Sequence, residues 1–210
     1  MVISVKNVNK KIKNNIILND ISVNFESKKI YGIKGKNGSG KTMLLKAISG
    51  LTKIDTGRII IGEKELGKDM DFPDSIGILI DNSGFPGGLN AFDNLKVISS
   101  IKNIISDDEI TEAIDRVGLL NDCNKKYRQY SLGMKQKLGI AAAIMEKPDI
   151  LLLDEPTNGL DQESVGKLQK ILQEERARGA LIIIVSHDLE ELENISDEIY
   201  QMRDGCVEKI

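Results

Sequence analysis

The sequence predicts an α/β protein: a mostly parallel β-sheet covered by helices, an N-terminal antiparallel β part, and an inserted α-helical subdomain. Three observations carry this. The runs ILLL at 150–153 and ALIIIV at 180–185 are continuously apolar, the pattern of strands buried on both faces of a parallel sheet. Amphipathic helical patterns alternate with such runs. Between 91 and 147 only helical patterns occur.

Each element follows in order. ISVKNV and IILNDISVNF alternate apolar and polar residues and read as half-buried strands. KKIYGIKG is a strand entering a glycine-rich turn, and KTMLLKAIS is a helix stopped by Gly50. GRIIIGEKEL and SIGILI are strands. AFDNLKVISSIKNI, DEITEAIDRVG and SLGMKQKLGIAAAIMEK are the helices of the insertion, the second opened by a capping box of Ser106 and Glu109. After Pro148 come strand DILLLD, helix QESVGKLQKILQEERARG, strand ALIIIVS, helix DLEELEN and strand DEIYQMRDG. One domain spanning 1–210 is expected, with 1–81 and 148–210 as its core and 82–147 as the helical subdomain.

Composition narrows the function. Aromatics are 4% of the 210 residues, Trp is absent and the net charge is −3. Such a chain lacks the stacking platform and positive field of a nucleic-acid binder, so no nucleic-acid partner is expected. Cys123 and Cys206 match no metal or redox spacing and read as inert thiols. The N-terminus has no apolar signal core, and no apolar run is long enough to span a bilayer. A soluble, cytoplasmic protein is expected, reaching a membrane only through a partner.

GKNGSGKT at 35–42 fits G-x-x-x-x-G-K-[ST] between a strand and a helix, the phosphate-binding loop of a P-loop NTPase core. Gly35, Gly38 and Gly40 let backbone N–H groups approach phosphate, and the helix N-terminus favours an anion. Lys41 suits the β/γ oxygens and Thr42 a Mg²⁺ ligand. The candidate nucleotide contacts are Gly35, Lys36, Asn37, Gly38, Ser39, Gly40, Lys41, Thr42 and Met43. ILLLDE places two carboxylates at the C-terminal end of a buried strand, where open α/β sheets bind ligands. Asp154 suits the Mg²⁺ site through water, and Glu155 can orient or deprotonate an attacking water. His187, the single histidine, ends another central strand. Its position is compatible with a γ-phosphate contact or with an ordinary surface side chain.

Together GKNGSGKT, SLGMKQ, ILLLDEPTNGLD and VSH resemble, in order and over essentially the whole chain, the nucleotide-binding domain of the ATP-binding cassette (ABC) transporters. The resemblance implies a Mg²⁺-dependent ATPase with Glu155 as catalytic base and His187 as switch histidine. It also implies a head-to-tail dimer in which Ser131, the Gly133 N–H and Asp161 act across the interface on ATP held by the partner. That partner is an identical chain or a second ATPase subunit. SLGMKQ, with Tyr130 and Leu132 where the family usually has Leu and Gly, looks like the spelling of bacterial drug, bacteriocin and antibiotic-peptide exporters.

Two further departures stand out. The adenine-stacking aromatic is best matched by Ile12, which offers apolar contact without a π face. The Mg²⁺-sensing Gln is replaced by Asp81, or by Asn82 one residue on. The turn-rich stretch NSGFPGGLNAFDNL reads by itself as a connecting loop; the resemblance implies that it forms the groove receiving a separate transmembrane permease subunit, which would hold the ATPase on the inner face of the cell membrane. With DEIYQMRDGCVEKI closing the sequence, no regulatory C-terminal domain is expected, which would fit an exporter better than an importer. The alternatives are a ribosome- or nucleic-acid-associated ATPase of the same superfamily, and a regulatory ATP-binding module.

Overall fold

The computed structural model describes residues 1–81 and 84–210. The chain opens with strands β1 (Val2–Ile12), β2 (Asn15–Glu26) and β3 (Ile30–Lys34), then helix α1 (Lys41–Ile48). Strands β4 (Thr56–Ile61), β5 (Lys64–Glu65) and β6 (Ile76–Leu79) follow. Helices α2 (Ala91–Lys102), α3 (Asp107–Arg116) and α4 (Leu132–Ile144) form a continuous helical stretch, with 3₁₀ turns at Leu120–Asp122 and Tyr127–Gln129. The chain ends with β7 (Ile150–Asp154), α5 (Gln162–Arg178), β8 (Leu181–Ser186), α6 (Leu189–Glu193), β9 (Glu198–Arg203) and β10 (Cys206–Lys209).

Two sheets result. The first has the order β2-β1-β4-β5 and is antiparallel, as the alternating N-terminal runs imply. The second has the order β10-β9-β3-β8-β7-β6, parallel throughout except for the β9–β10 hairpin. Its central strands β3, β7 and β8 are buried along almost their full length, which is why their sequences are continuously apolar. One apolar core lies between the sheets around α1; the other joins the helices α2 to α5 to the opposite face of the parallel sheet.

The Ser106–Glu109 capping box is present in full at the start of α3. At the other end of that helix Arg116 reaches α5: its Nη1 is 2.9 Å from Glu175 Oε1, and Arg178 Nε is 2.9 Å from Glu175 Oε2. Glu175 is only 3% exposed, and the two arginines compensate its buried charge, one at each carboxylate oxygen. The helical stretch is thereby fastened to the core helix.

Two differences from the sequence reading have local causes. GRIIIGEKEL does not form one strand, because Gly62, at φ 63, turns the chain and makes β5 a short return strand. The last residues form a strand that the sequence reading left out. Asp204 and Gly205, both at positive φ, make the two-residue turn of the β9–β10 hairpin.

Candidate functional site

The register of the parallel sheet brings the candidate residues to one edge. Lys34 pairs with Ser186, and Asp154 with Val185. The turns after β3, β7 and β8 therefore emerge side by side at the strands' C-terminal ends, where α/β sheets bind ligands. The Gly35 N–H donates to the Ser186 carbonyl at 3.2 Å, and the Glu155 N–H to the Val185 carbonyl at 2.9 Å.

An open cavity of about 810 Å³ lies at this edge. It is lined by Asn37, Gly38, Gly40, Lys41, Thr42, Met43, Asp81, Asp154 and Glu155 among the residues chosen from sequence. Gly40 caps α1 in the left-handed region at φ 107, with no side chain occupying the first-turn N–H groups. A β-carbon there would stand 2.6 Å from the Ile17 carbonyl oxygen. The helix start is thus bare, glycine-lined and suited to an anion. Lys41, 6% exposed, donates to the Gly35 carbonyl at 2.6 Å, and its Nζ is 3.8 Å from Glu155 Oε1.

The Thr42 hydroxyl donates to Asp154 Oδ2 at 2.6 Å. Burial is the main cause raising the Asp154 carboxyl above its usual value; the Thr42 bond opposes it, the charges of Glu155 and Asp81 add to it, and Lys41 opposes it. A cation beside Asp154 would relieve this strain. The described residues form no cluster of three His, Cys, Asp or Glu suited to a metal. One hydroxyl and one carboxylate instead fit Mg²⁺ shared with substrate phosphates, since that ion keeps most of its waters and is seldom caged by protein alone. The buried Ser39 Oγ, which has no hydrogen-bond partner among the described residues, is a further donor inside the loop.

Glu155 sits at φ 47, a left-handed conformation rare for a residue with a β-carbon. Three groups fix it. His187 Nδ1 is 2.8 Å from its Oε2, the Ser186 hydroxyl is 3.5 Å from the same oxygen, and Gln136 Nε2 of α4 donates to its carbonyl at 3.0 Å. His187 is itself exposed and does not line the cavity, but it reaches the site through Glu155.

Other candidates stand elsewhere. Ile12 ends β1, 45% exposed, outside the cavity; the nearby apolar wall is Ile17. Ile17 lies on β2, the second strand of the hairpin, with its carbonyl against Gly40 of the phosphate loop. Asp81, at φ 56, lines the cavity while its carboxylate pairs with Lys46 Nζ at 2.6 Å. Asn82 lies outside the described residues.

Ser131 is the N-cap of α4, its hydroxyl accepting from the Met134 N–H at 3.3 Å. Gly133 follows in the first turn. Asp161 is the N-cap of α5, accepting from the Ser164 N–H at 2.8 Å. Ser131, Gly133 and Asp161 do not line the cavity; Leu132 and Gln136 do. Sequence reasoning passed over Gln136, Ser186 and Ile17. The signal for Gln136 and Ser186 was present, since each lies within a motif, SLGMKQ and VSH. Nothing in the sequence ties Ile17 to the site.

Fold and site define a nucleotide-binding P-loop ATPase. The family model for ABC transporters matches residues 18–158. The uncharacterized ABC transporter ATP-binding protein YybJ of Bacillus subtilis (strain 168) is 50% identical over 206 residues, 98% of this chain and 94% of that protein. The lantibiotic transport ATP-binding protein SrtF of Streptococcus pyogenes is 35% identical over 98% of this chain and 88% of its own length. A dimeric structure of the bacterial ABC transporter cassette MJ0796 superposes with a TM-score of 0.89 at 25% identity, covering 98% of this chain and 96% of that one. The chain belongs to the ABC transporter family, as an ATPase cassette.

Proposed function

We propose that the chain is the ATP-hydrolysing subunit of a multisubunit membrane exporter for a drug, bacteriocin or antibiotic peptide. In this reading 1–210 is one ATPase domain, with 82–147 as its helical subdomain between core segments 1–81 and 148–210. The observation that carries the catalytic part is the setting of Glu155, its Oε2 2.8 Å from His187 and its Oε1 3.8 Å from Lys41 at the mouth of the phosphate loop. Lys41 and the N–H groups of the loop and α1 bind the phosphates. Thr42 and Asp154 would hold Mg²⁺, with Asp81 joining them once released from Lys46; the ion would supply positive charge to the phosphates. Glu155 takes a proton from the attacking water, and His187 keeps its carboxylate aimed.

Head-to-tail dimerisation supplies the rest. Ser131 and the first-turn N–H groups of α4, including that of Gly133, close on the γ-phosphate of ATP bound to the neighbour, and Asp161 joins the two sites. The MJ0796 cassette described as dimeric supports this arrangement. The neighbour is an identical chain or a second ATPase subunit.

The permease reading is supported by a groove of about 580 Å³ between β6 and the helices, lined by Phe72, Ile76, Ile78, Phe85, Val97 and Ile101 among others. Ile101 is 82% exposed there, a large apolar side chain suited to a protein interface. Among the described residues no helix is long and apolar enough to cross a membrane. A separate transmembrane subunit would seat in this groove and hold the ATPase at the inner face of the membrane. The relative named for lantibiotic transport supports peptide cargo.

Replacing Glu155 by Gln tests the core of the proposal. Hydrolysis should fall roughly 10²-fold or more, and an ATP-bound dimer should accumulate on size-exclusion chromatography. Unchanged turnover would refute Glu155 as the base.

A further inference from the structure

Behind Glu155 stands a second carboxyl group. Helix α6 starts from its cap Asp188 and turns Glu191 back toward the end of β8, where Glu191 Oε2 is 2.9 Å from the Ser186 hydroxyl. Glu191 Oε1 is buried with no hydrogen-bond partner among the described residues. Ser186 is fully buried; its oxygen accepts from the Asp188 N–H at 3.1 Å and lies 3.5 Å from Glu155 Oε2. One hydroxyl thus stands between two carboxyl groups.

A hydroxyl has one proton and two lone pairs. The Asp188 N–H uses one lone pair. Were Glu191 ionised, the Ser186 proton would turn to it and the remaining lone pair would face the Glu155 oxygen. With a proton on Glu191, that acid donates into the second lone pair and the Ser186 proton turns to Glu155 Oε2. All three valences of the hydroxyl are then used, and no negative oxygen is left buried without a partner.

We propose that Glu191 is a positioning residue for Glu155, acting through Ser186 in this second arrangement to deliver a hydrogen bond that holds the Glu155 carboxylate in place beside His187. Burial is the main cause pushing the Glu191 carboxyl up from its ordinary value; the hydrogen bond with Ser186 and a nearby Thr157 hydroxyl outside hydrogen-bond geometry pull against it, and the charges of Glu155 and Asp188 add to the rise. The inference rests on the reading of Glu155 as the base.

Steady-state ATP hydrolysis by the purified chain tests it, with binding of a fluorescent ATP analogue as the check on fold. Glu191→Ala should lower kcat about 10-fold or more with KM nearly unchanged, the usual size of an outer-shell loss. Glu191→Gln, whose amide N–H can still donate to Ser186, should restore kcat. Ser186→Ala should cost as much as Glu191→Ala, and the double variant no more than either, because the two act as one unit. An unchanged kcat in Glu191→Ala, a Gln variant as slow as Ala, or additive losses would overturn the proposal. Should Glu191→Ala fail to bind nucleotide, Ser186→Ala and Glu191→Gln still decide it. Undiminished turnover in Glu155→Gln would instead overturn the base reading on which it stands.

Discussion

A β-carbon on Gly133 would stand 2.5 Å from the Gly159 carbonyl oxygen, and one on Gly159, at φ 75, would meet Leu132 Cγ at 2.9 Å. The start of α4 and the turn before α5 therefore touch backbone to backbone within one chain. Gly133→Ala should lower the Tm of the isolated chain, since overpacking costs about 1–3 kcal/mol and each kcal/mol is worth roughly 2–4 °C at this size. Thermal denaturation followed by circular dichroism checks this, and an unchanged Tm would leave the glycine with phosphate contact alone. The motif spelling was enough to single out Gly133, but its packing partner 26 positions away was not legible, because only the tertiary fold brings 133 and 159 together. The same holds for Ile17 against Ile12. The alternation of both strands was plain, yet which strand of the hairpin faces the phosphate loop depends on register. Asp81 matches the expected position in the chain, while its pairing with Lys46 of α1 follows from helix placement that periodicity does not give.

Among the elements, the edge of the parallel sheet shows what charge contributes. Glu198 of β9 is held by Lys29 at 2.8 Å, just before β3, and by Lys209 of β10 at 2.7 Å. The hydrogen bonds from Lys209 and then Lys29 lower its carboxyl from 4.5 to about 2. The folded chain thus holds this group ionised more strongly than the unfolded chain does. The resulting stability is fully present above the unfolded value near 4.5 and is lost as pH falls through about 2. Glu198→Gln should lower Tm by about 2–4 °C at pH 7, and the gap to the parent should close between pH 4.5 and 2. A gap independent of pH would mean that packing, not charge, holds the hairpin. The D-G dipeptide that turns β9 into β10 is a legible hairpin signal, whereas the lysines that staple the strand lie 169 and 11 residues from Glu198 and carry no local pattern. The central strands were legible for the opposite reason: burial on both faces writes itself into composition.

At the scale of the whole molecule, the phosphate loop and the α4 N-terminus are the two half-sites of the proposed dimer. Ser131 caps α4 and is exposed, so it can meet a neighbour without unfolding anything but its own cap. Ser131→Arg should leave nucleotide binding to the isolated chain nearly unchanged, cost about 1 kcal/mol of stability through the lost cap, and abolish dimer-dependent hydrolysis. Equilibrium binding and turnover at rising protein concentration separate these effects; lost binding in the monomer would show that Ser131 serves its own chain's nucleotide.

The hydrogen bond from Gln136 to the Glu155 carbonyl then has a consequence for timing. In the proposed dimer Gln136 rides on the helix whose tip would meet the neighbour's ATP, while Glu155 would act on the ATP held by its own chain. This amide, together with the backbone contact of Gly133 and Gly159, would tie the two events together: a shift of α4 toward a neighbour would pull on the backbone of the proposed base. On this reading the pair of sites keeps a shared clock, and its escapement is a glutamine.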